Sequence, residues 1–239
     1  MGDSLLSIRL ERAVLKVYNS INKRSSQNWV GYSEQSLWYE IVACILGSKV
    51  PFEHAQAAAS YLHCKGLLDV KNCFRNSLQF ESRIAQALSY PIFFPPDSSG
   101  RGWKYRYPKL RANHIRRTAE SVYQEHGSIK HILESSKDPH DARVRIADAS
   151  VGIGPKQSSL FLRNIGYTNN LAILDTHVLC YMFLLGILQV RTQVVSTITC
   201  YQEIEERLRS YTNKLGANLA YLDTAIWITM RVFQRELVT

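Results

Sequence analysis

No apolar run in this 239-residue sequence reaches the roughly 18 residues that a membrane-spanning helix needs. The opening stretch, MGDSLLSIRLERAVL, scatters acids and bases among its apolar residues, so it lacks the unbroken core of a secretory signal. Convincing alternation of apolar and polar residues is missing too, which removes the β-sheet as the organising element. No internal repeat and no low-complexity tract occurs. Cysteines are few: Cys44, Cys64, Cys73, Cys180 and Cys200 are odd in number, widely spaced and mostly set in apolar stretches. They read as buried reduced thiols, neither a disulfide framework nor a metal cluster. Acidic residues are outnumbered, 20 against 29 Lys and Arg, which leaves a net charge of +9. The expectation is a soluble intracellular protein of one large or two small domains. Its positive excess suits a polyanionic partner, although solubility alone accounts for the same excess.

What the chain does have is helical period almost throughout. Asp3 or Ser4 is placed to cap a first helix whose apolar positions, Leu6, Leu10, Ala13, Val17 and Ile21, recur at three- or four-residue steps until NKRSSQN breaks it. Ser33 opens a second helix, SLWYEIVACIL, ending at Gly47, and FEHAQAAASYLHC follows and stops at Gly66. Weaker helical signals run through DVKNCF and QFESRIAQALS. From Tyr90 to Tyr107 order lapses into YPIFFPPDSSGRGWKYRY, a long loop punctuated by proline and glycine. Trp103, Tyr105 and Tyr107 alternate there with Lys104 and Arg106, an arrangement suited to phosphates and exposed bases. The alternative is that these rings, with Phe93 and Phe94, anchor the loop onto a core.

Pro108 starts the helix KLRANHIRRTAESVYQEHG, made basic by Arg111, His114, Arg116 and Arg117. A solvated basic face accounts for this charge as well as a ligand does. SIKHILESS comes next, then PHDARVRIADAS, begun by Asp138 and Pro139. Asp175 stands at the cap of THVLCYMFLLGIL, which is apolar all round and is expected to be a buried central helix. Two last helices run from Thr197 to Lys214, with Glu203 and Arg207 as an i,i+4 pair, and from Asn218 to Leu237. The sum is an all-α protein of about ten helices.

Between Asp138 and Gly166 lies a helix, a Val-Gly-Ile-Gly turn and a second helix. Glycines let a backbone approach a phosphate closely, and the N–H groups at the start of the second helix point outward to meet it. Lys156 occupies that start, where the positive end of the helix disfavours a cation. Contact with a phosphate explains its charge. So does a second use, because the dipole and partial burial both favour the neutral amine, and a neutral amine is a nucleophile. Nineteen residues on, Asp175 supplies a carboxylate that serves as a cap, as a partner for the amine, or as both.

The run GIGPKQSSLFLRNIGYTNNLAILDTHVL closely resembles the helix-hairpin-helix DNA glycosylases, and among them the second-type, largely archaeal 8-oxoguanine DNA glycosylase/AP lyases. The shared pattern falls on Gly152, Gly154, Lys156, Phe161, Leu162, Arg163, Asn164, Gly166, Asp175 and His177. RYPKLRANHI, from Arg106 to Ile115, is similar to a helix start of that family, and LDTAIW, from Leu222 to Trp227, to a segment near its end. LWYEIVACILGSKVPFEHA resembles its early helix and the loop inserted into the duplex. The likeness spans Ser33 to Trp227.

The resemblance implies two helical subdomains flanking a DNA-binding cleft, residues 1–33 with 169–239 and residues 34–168, the hairpin lying at 139–166. It implies a monomer, intracellular and DNA-associated, acting on duplex DNA that carries a damaged or modified base, with no role for a membrane. A nucleotide would be flipped out of the stack. Lys156 would attack the sugar C1′, and Asp175 would help deprotonate the amine and stabilise the cationic sugar. Tyr107 and Trp227 would stack on the flipped base, and Asp223, one turn before Trp227, would face the same pocket. Gly152 and Gly154 would bind phosphate, Arg111 and His177 would lie along the DNA, and Ser48, Lys49 or Phe52 would wedge into the vacated stack, Lys49 first. A monovalent cation on hairpin carbonyls is compatible with the pattern. The iron–sulfur cluster of other relatives is not, because Cys200 is the only cysteine after Cys180. The chain also lacks the final lysine of second-type enzymes, which leaves room for a different or bulkier base met by Arg231 and Arg235. A non-catalytic hairpin module remains the reading from another class.

Overall fold

A computed structural model describes residues 2–21, 28–73, 77–92, 100–192 and 195–236. Within them the α-helices are α1 (Gly2–Ser20), α2 (Glu34–Leu46), α3 (Phe52–Cys64), α4 (Ser77–Ser89), α5 (Pro108–Glu120), α6 (Ile129–Glu134), α7 (Pro139–Ala149), α8 (Pro155–Asn164), α9 (Thr176–Leu184), α10 (Ile198–Lys214) and α11 (Leu219–Glu236). A π-helical turn, Ser121–Glu125, extends α5. The β pairing seen among the described residues is an isolated bridge between Ile92 and Trp103. Phe93 and Phe94 and the side chain of Arg235 lie outside the described residues.

The helices form two compact units, Met1–Gln27 with Gly166–Thr239, and Asn28–Ile165. In the first unit α11 packs against α1, α9 and α10. Its core gathers Leu10, Val14 and Tyr18 of α1 with Leu179 and Met182 of α9, Leu208 of α10 and Ile226 of α11. The buried stripe of α1 is therefore turned from the expected one, and Leu6 is exposed. The helix also begins at Gly2, ahead of Asp3 and Ser4. Helix α9 ends at Leu184, short of GIL, because Gly186 turns the chain at φ 71°. It is not buried all round: Val178, Leu179, Tyr181 and Met182 are enclosed, whereas Cys180, Phe183 and Leu184 are half-buried.

The helix buried on nearly every side is α2, at the centre of the second unit. Ile41 to Leu46 are six consecutive buried residues, and α3, α5, α6 and α8 all pack on this helix. Full burial of each such aliphatic side chain contributes about 1.5–3 kcal/mol. Ser33 caps α2 by accepting from Ser36 N at 3.1 Å, as its sequence implies. Two thiols depart from expectation, since Cys64 and Cys200 are exposed. On α10, Glu203 and Arg207 both face solvent, and the ion pairs run from Arg209 to Glu205 and Glu206.

Candidate active site

The hairpin is α7, a turn from Ser150 to Gly154, and α8. Thr118 Oγ1 holds the turn by accepting from Val151 N at 2.9 Å. Arg143 lies fully buried between the two helices, 3.4 Å from Ser159 Oγ and 3.0 Å from His140 Nδ1. The two glycines do different work. Gly152 has φ 81°, a conformation that side chains disfavour, and a Cβ on it would lie 2.2 Å from His114 Nδ1. Gly154 has φ −106°, and a Cβ there would meet nothing within 4 Å. The fold itself thus requires the first glycine and is indifferent to the second.

Gly154 is also the N-cap of α8, so no side chain covers that helix end. Pro155 at the first position has no N–H to satisfy. The half-buried Lys156 follows directly in the open first turn.

Arg111, expected on DNA, is 4% exposed and points inward. Its Nη2 donates to Ser48 O at 2.7 Å and its Nη1 lies 3.0 Å from His114 Nδ1. A guanidinium so enclosed tethers the α2–α3 loop to α5, and through the His114 ring it touches the hairpin turn. That correction leaves Arg106 as the exposed arginine beside Tyr107, its guanidinium 5.0 Å from the ring. Burial and the charges of Arg111 and Arg117 hold the His114 pKa below the ordinary histidine value. On the tethered loop Lys49 is exposed at φ 61°, the one non-glycine residue of positive φ among those described, and Phe52 is 53% exposed. Ser48 is half-buried with its carbonyl committed to Arg111.

Of the rings in the loop before α5, Tyr107 is half-buried at the start of that helix. The other two serve the core. Tyr105 is buried and donates to Leu46 O at 2.7 Å, while Trp103 stacks on His54 at 4.1 Å. Beside the hairpin helix, a shallow groove is lined by Glu40, Cys44, Phe52, Gln157 and Asn164. Burial raises the Glu40 pKa, while Asn164 donates to that carboxylate at 2.7 Å. Burial pushes the Cys44 thiol up as well, and the charge of Lys156 pulls the other way.

The remaining candidates belong to the other unit. Asp175 caps α9 with Oδ1, which accepts from His177 N and Val178 N, both at 2.9 Å. Oδ2 takes no part in the cap. The half-buried His177 ring has an enclosed Nδ1 without a partner among the described residues. Trp227 is half-buried, with the Arg231 guanidinium 5.0 Å from its ring, so Arg231 is engaged on the tryptophan. Asp223 departs from the expected pocket wall: it is 2% exposed and its Oδ2 accepts from Ile173 N at 2.8 Å. The reason is local. Residues 171–175 belong to no helix or strand, and buried N–H groups there need acceptors from side chains.

Sequence reasoning missed Glu205 and Tyr201, which bind the same segment. Their signal was present, because Tyr201, Ile204, Glu205, Leu208 and Thr212 share the buried stripe of α10, where an acid has no place without a partner.

An all-helical fold whose hairpin turns on two glycines and sets a lysine in the first turn of its second helix is that of the helix-hairpin-helix glycosylase class. The family model described as 8-oxoguanine DNA glycosylase matches residues 99–217. The 8-oxoguanine DNA glycosylase/AP lyase of Sulfolobus acidocaldarius is 31% identical over 199 residues, 82% of each chain. That of Saccharolobus solfataricus is 29% identical over 198 residues, 82% of this chain and 83% of the relative. Among solved structures, the 8-oxoguanine DNA glycosylase of Thermotoga maritima superposes with a TM-score of 0.67 at 24% identity, covering 94% of this chain and 95% of that one. The Methanocaldococcus jannaschii 8-oxoguanine glycosylase/lyase, in complex with DNA containing 8-oxoguanine, gives 0.61 at 21% identity over 91% and 87%. The chain belongs to the 8-oxoguanine DNA glycosylase family.

Proposed function

We propose that the protein is a bifunctional DNA N-glycosylase/AP lyase that removes a damaged base, 8-oxoguanine first, from duplex DNA and then nicks the strand. The observation that carries this reading is Lys156 in the uncapped first turn of the hairpin helix, in a chain aligned over 82% of its length with glycosylase/AP lyases. Gly154 supports it, since the fold does not need a glycine there and an approaching phosphate backbone does.

Lys156 attacks C1′ as a free amine. The glycosidic bond breaks with its electron pair leaving on the base nitrogen, which takes up a proton. Asp175 accepts the proton lost by the amine and offsets positive charge building on the sugar. Ring opening gives a Schiff base between Nζ and C1′. Loss of a C2′ proton then expels the 3′ phosphate, and water releases the lysine. These steps call on side chains alone. Tyr107 and Trp227 are the rings for the flipped base, and Lys49, exposed on a loop tethered by Arg111, is the wedge. The protein acts as a monomer on cellular DNA.

The test is borohydride trapping on duplexes carrying 8-oxoguanine or an abasic site. Wild type is expected to give a covalent complex, and Lys156→Gln none. Trapping at full strength in the variant would overturn the nucleophile. Salt-dependent binding without base release in wild type would establish a non-catalytic module instead. A panel of other oxidised, alkylated and bulkier bases then ranks substrates by single-turnover excision rate.

A further inference from the structure

We infer that Asp223, Glu205 and Tyr201 form a clamp that positions Asp175, an inference that rests on the catalytic reading of that aspartate. In the segment before Asp175, three successive N–H groups are each taken by a side chain. Ala172 N donates to Glu205 Oε1 at 2.7 Å, Ile173 N to Asp223 Oδ2 at 2.8 Å and Leu174 N to Tyr201 OH at 3.0 Å. The tyrosine hydroxyl returns its own proton to Ala172 O at 2.8 Å. The acceptors come from two elements: α10 supplies Tyr201 and Glu205, and α11 supplies Asp223.

All three side chains are enclosed, at 0%, 1% and 2% exposure. Burying carboxylates is costly, and apolar residues would pack a core better if packing were the only demand. What two acids and a hydroxyl give is a fixed register. A slip of one residue would offer each acceptor the wrong N–H and re-aim the side chain that follows the segment. Here the clamp ends one residue before Asp175, whose own N donates to Ile173 O at 2.9 Å. From there Oδ1 is committed to the α9 cap, so the direction of Oδ2 is set by the clamped backbone. Arg209 steadies the same segment from outside, donating to Asn170 O at 2.8 Å and lying 3.7 Å from Glu205.

The test uses full-length protein and single-turnover excision from an 8-oxoguanine duplex, with DNA affinity measured in parallel. Asp223→Ala and Tyr201→Phe are expected to slow excision by on the order of 10- to 100-fold, as a small misplacement of a reacting group does, while affinity changes less than about threefold. Asp223→Asn keeps an oxygen for Ile173 N and should recover most of the rate. Full excision by Asp223→Ala, or an Asn variant as slow as the Ala variant, overturns the positioning role. If Asp223→Ala does not fold, Tyr201→Phe and Asp223→Asn carry the same judgement. An inactive wild type counts against the catalytic reading alone. The clamp is then judged by hydrogen exchange, where rapid exchange at Ala172, Ile173 and Leu174 overturns it.

Discussion

Helices α8 and α9 follow one another in sequence, and their first turns are built in opposite ways. Helix α8 starts at a glycine, offers no side-chain cap and places a lysine where the helix end is already positive. Helix α9 starts at an aspartate that fills its own open N–H groups and puts an anion at the favourable end. The second start is what stability alone would select. The first leaves that helix end without a side-chain cap and sets a cation beside it, and phosphate is the occupant that the proposed function gives it. The pair shows that Asp175 can be read from stability and Lys156 cannot, so Lys156 is the stronger functional signal.

The comparison breaks most sharply at Asp175, where cap and chemistry are separable. Asparagine caps about as well as aspartate but has no charge and takes no proton. Asp175→Asn is therefore expected to keep the melting temperature near that of wild type while excision falls by on the order of 10²- to 10⁴-fold. Asp175→Ala should lose the same activity and about 1 kcal/mol of stability besides. Thermal melts beside single-turnover assays check both. An active Asn variant would reduce α9 to an ordinary capped helix.

The glycines sharpen the other side. Gly152→Ala meets a left-handed φ and the His114 ring, which is itself held by an arginine bound to Ser48 O. A loss on the order of 3 kcal/mol is expected from strain and overpacking together, read as a lower melting temperature. Gly154→Ala meets no atom, so only its weaker capping preference should register, below about 1 kcal/mol. DNA affinity is where that variant should fail, by on the order of tenfold for one lost phosphate contact. Equal effects of the two substitutions on stability and binding would erase the distinction drawn between them.

How far the sequence carried this reading depends on what each residue's role answers to. Helix starts at Ser33, Pro108, Asp138 and Asp175 were legible because capping is a local affair of a few residues. The position of Lys156 in the first turn of α8 was legible because Gly154 and Pro155 mark that start. Arg111 was misread as a DNA ligand because nothing in RYPKLRANHI says which way a basic side chain turns; that is decided by Ser48, 63 residues away. Asp223 was misread for the same reason, its partner Ile173 lying 50 residues back. Apolar composition likewise named α9 as the buried helix, whereas burial goes to α2, around which four helices happen to pack. Local rules fix caps and turns; the partners of buried polar groups are set by the tertiary fold.

The smallest effect expected is one of pH, and it touches only the α8 side. Arg111 Nη1 donates to His114 Nδ1, so that nitrogen must be unprotonated, and the ring also fills the space beside Gly152. Burial and two nearby arginines depress the folded pKa below the ordinary value of 6.5. A depressed histidine contributes stability that is fully present above its unfolded pKa and is lost as pH falls through the folded one. The Val151 amide, bonded to Thr118 behind the same turn, should therefore lose protection from exchange as pH drops below the ordinary histidine value, whereas amides of the α9 first turn need not follow. In His114→Asn the extra loss should vanish. NMR titration of the ring decides it: a midpoint at or above the ordinary histidine value would mean that the arginine contact does not hold the ring neutral, and the two helix starts would then share one pH response.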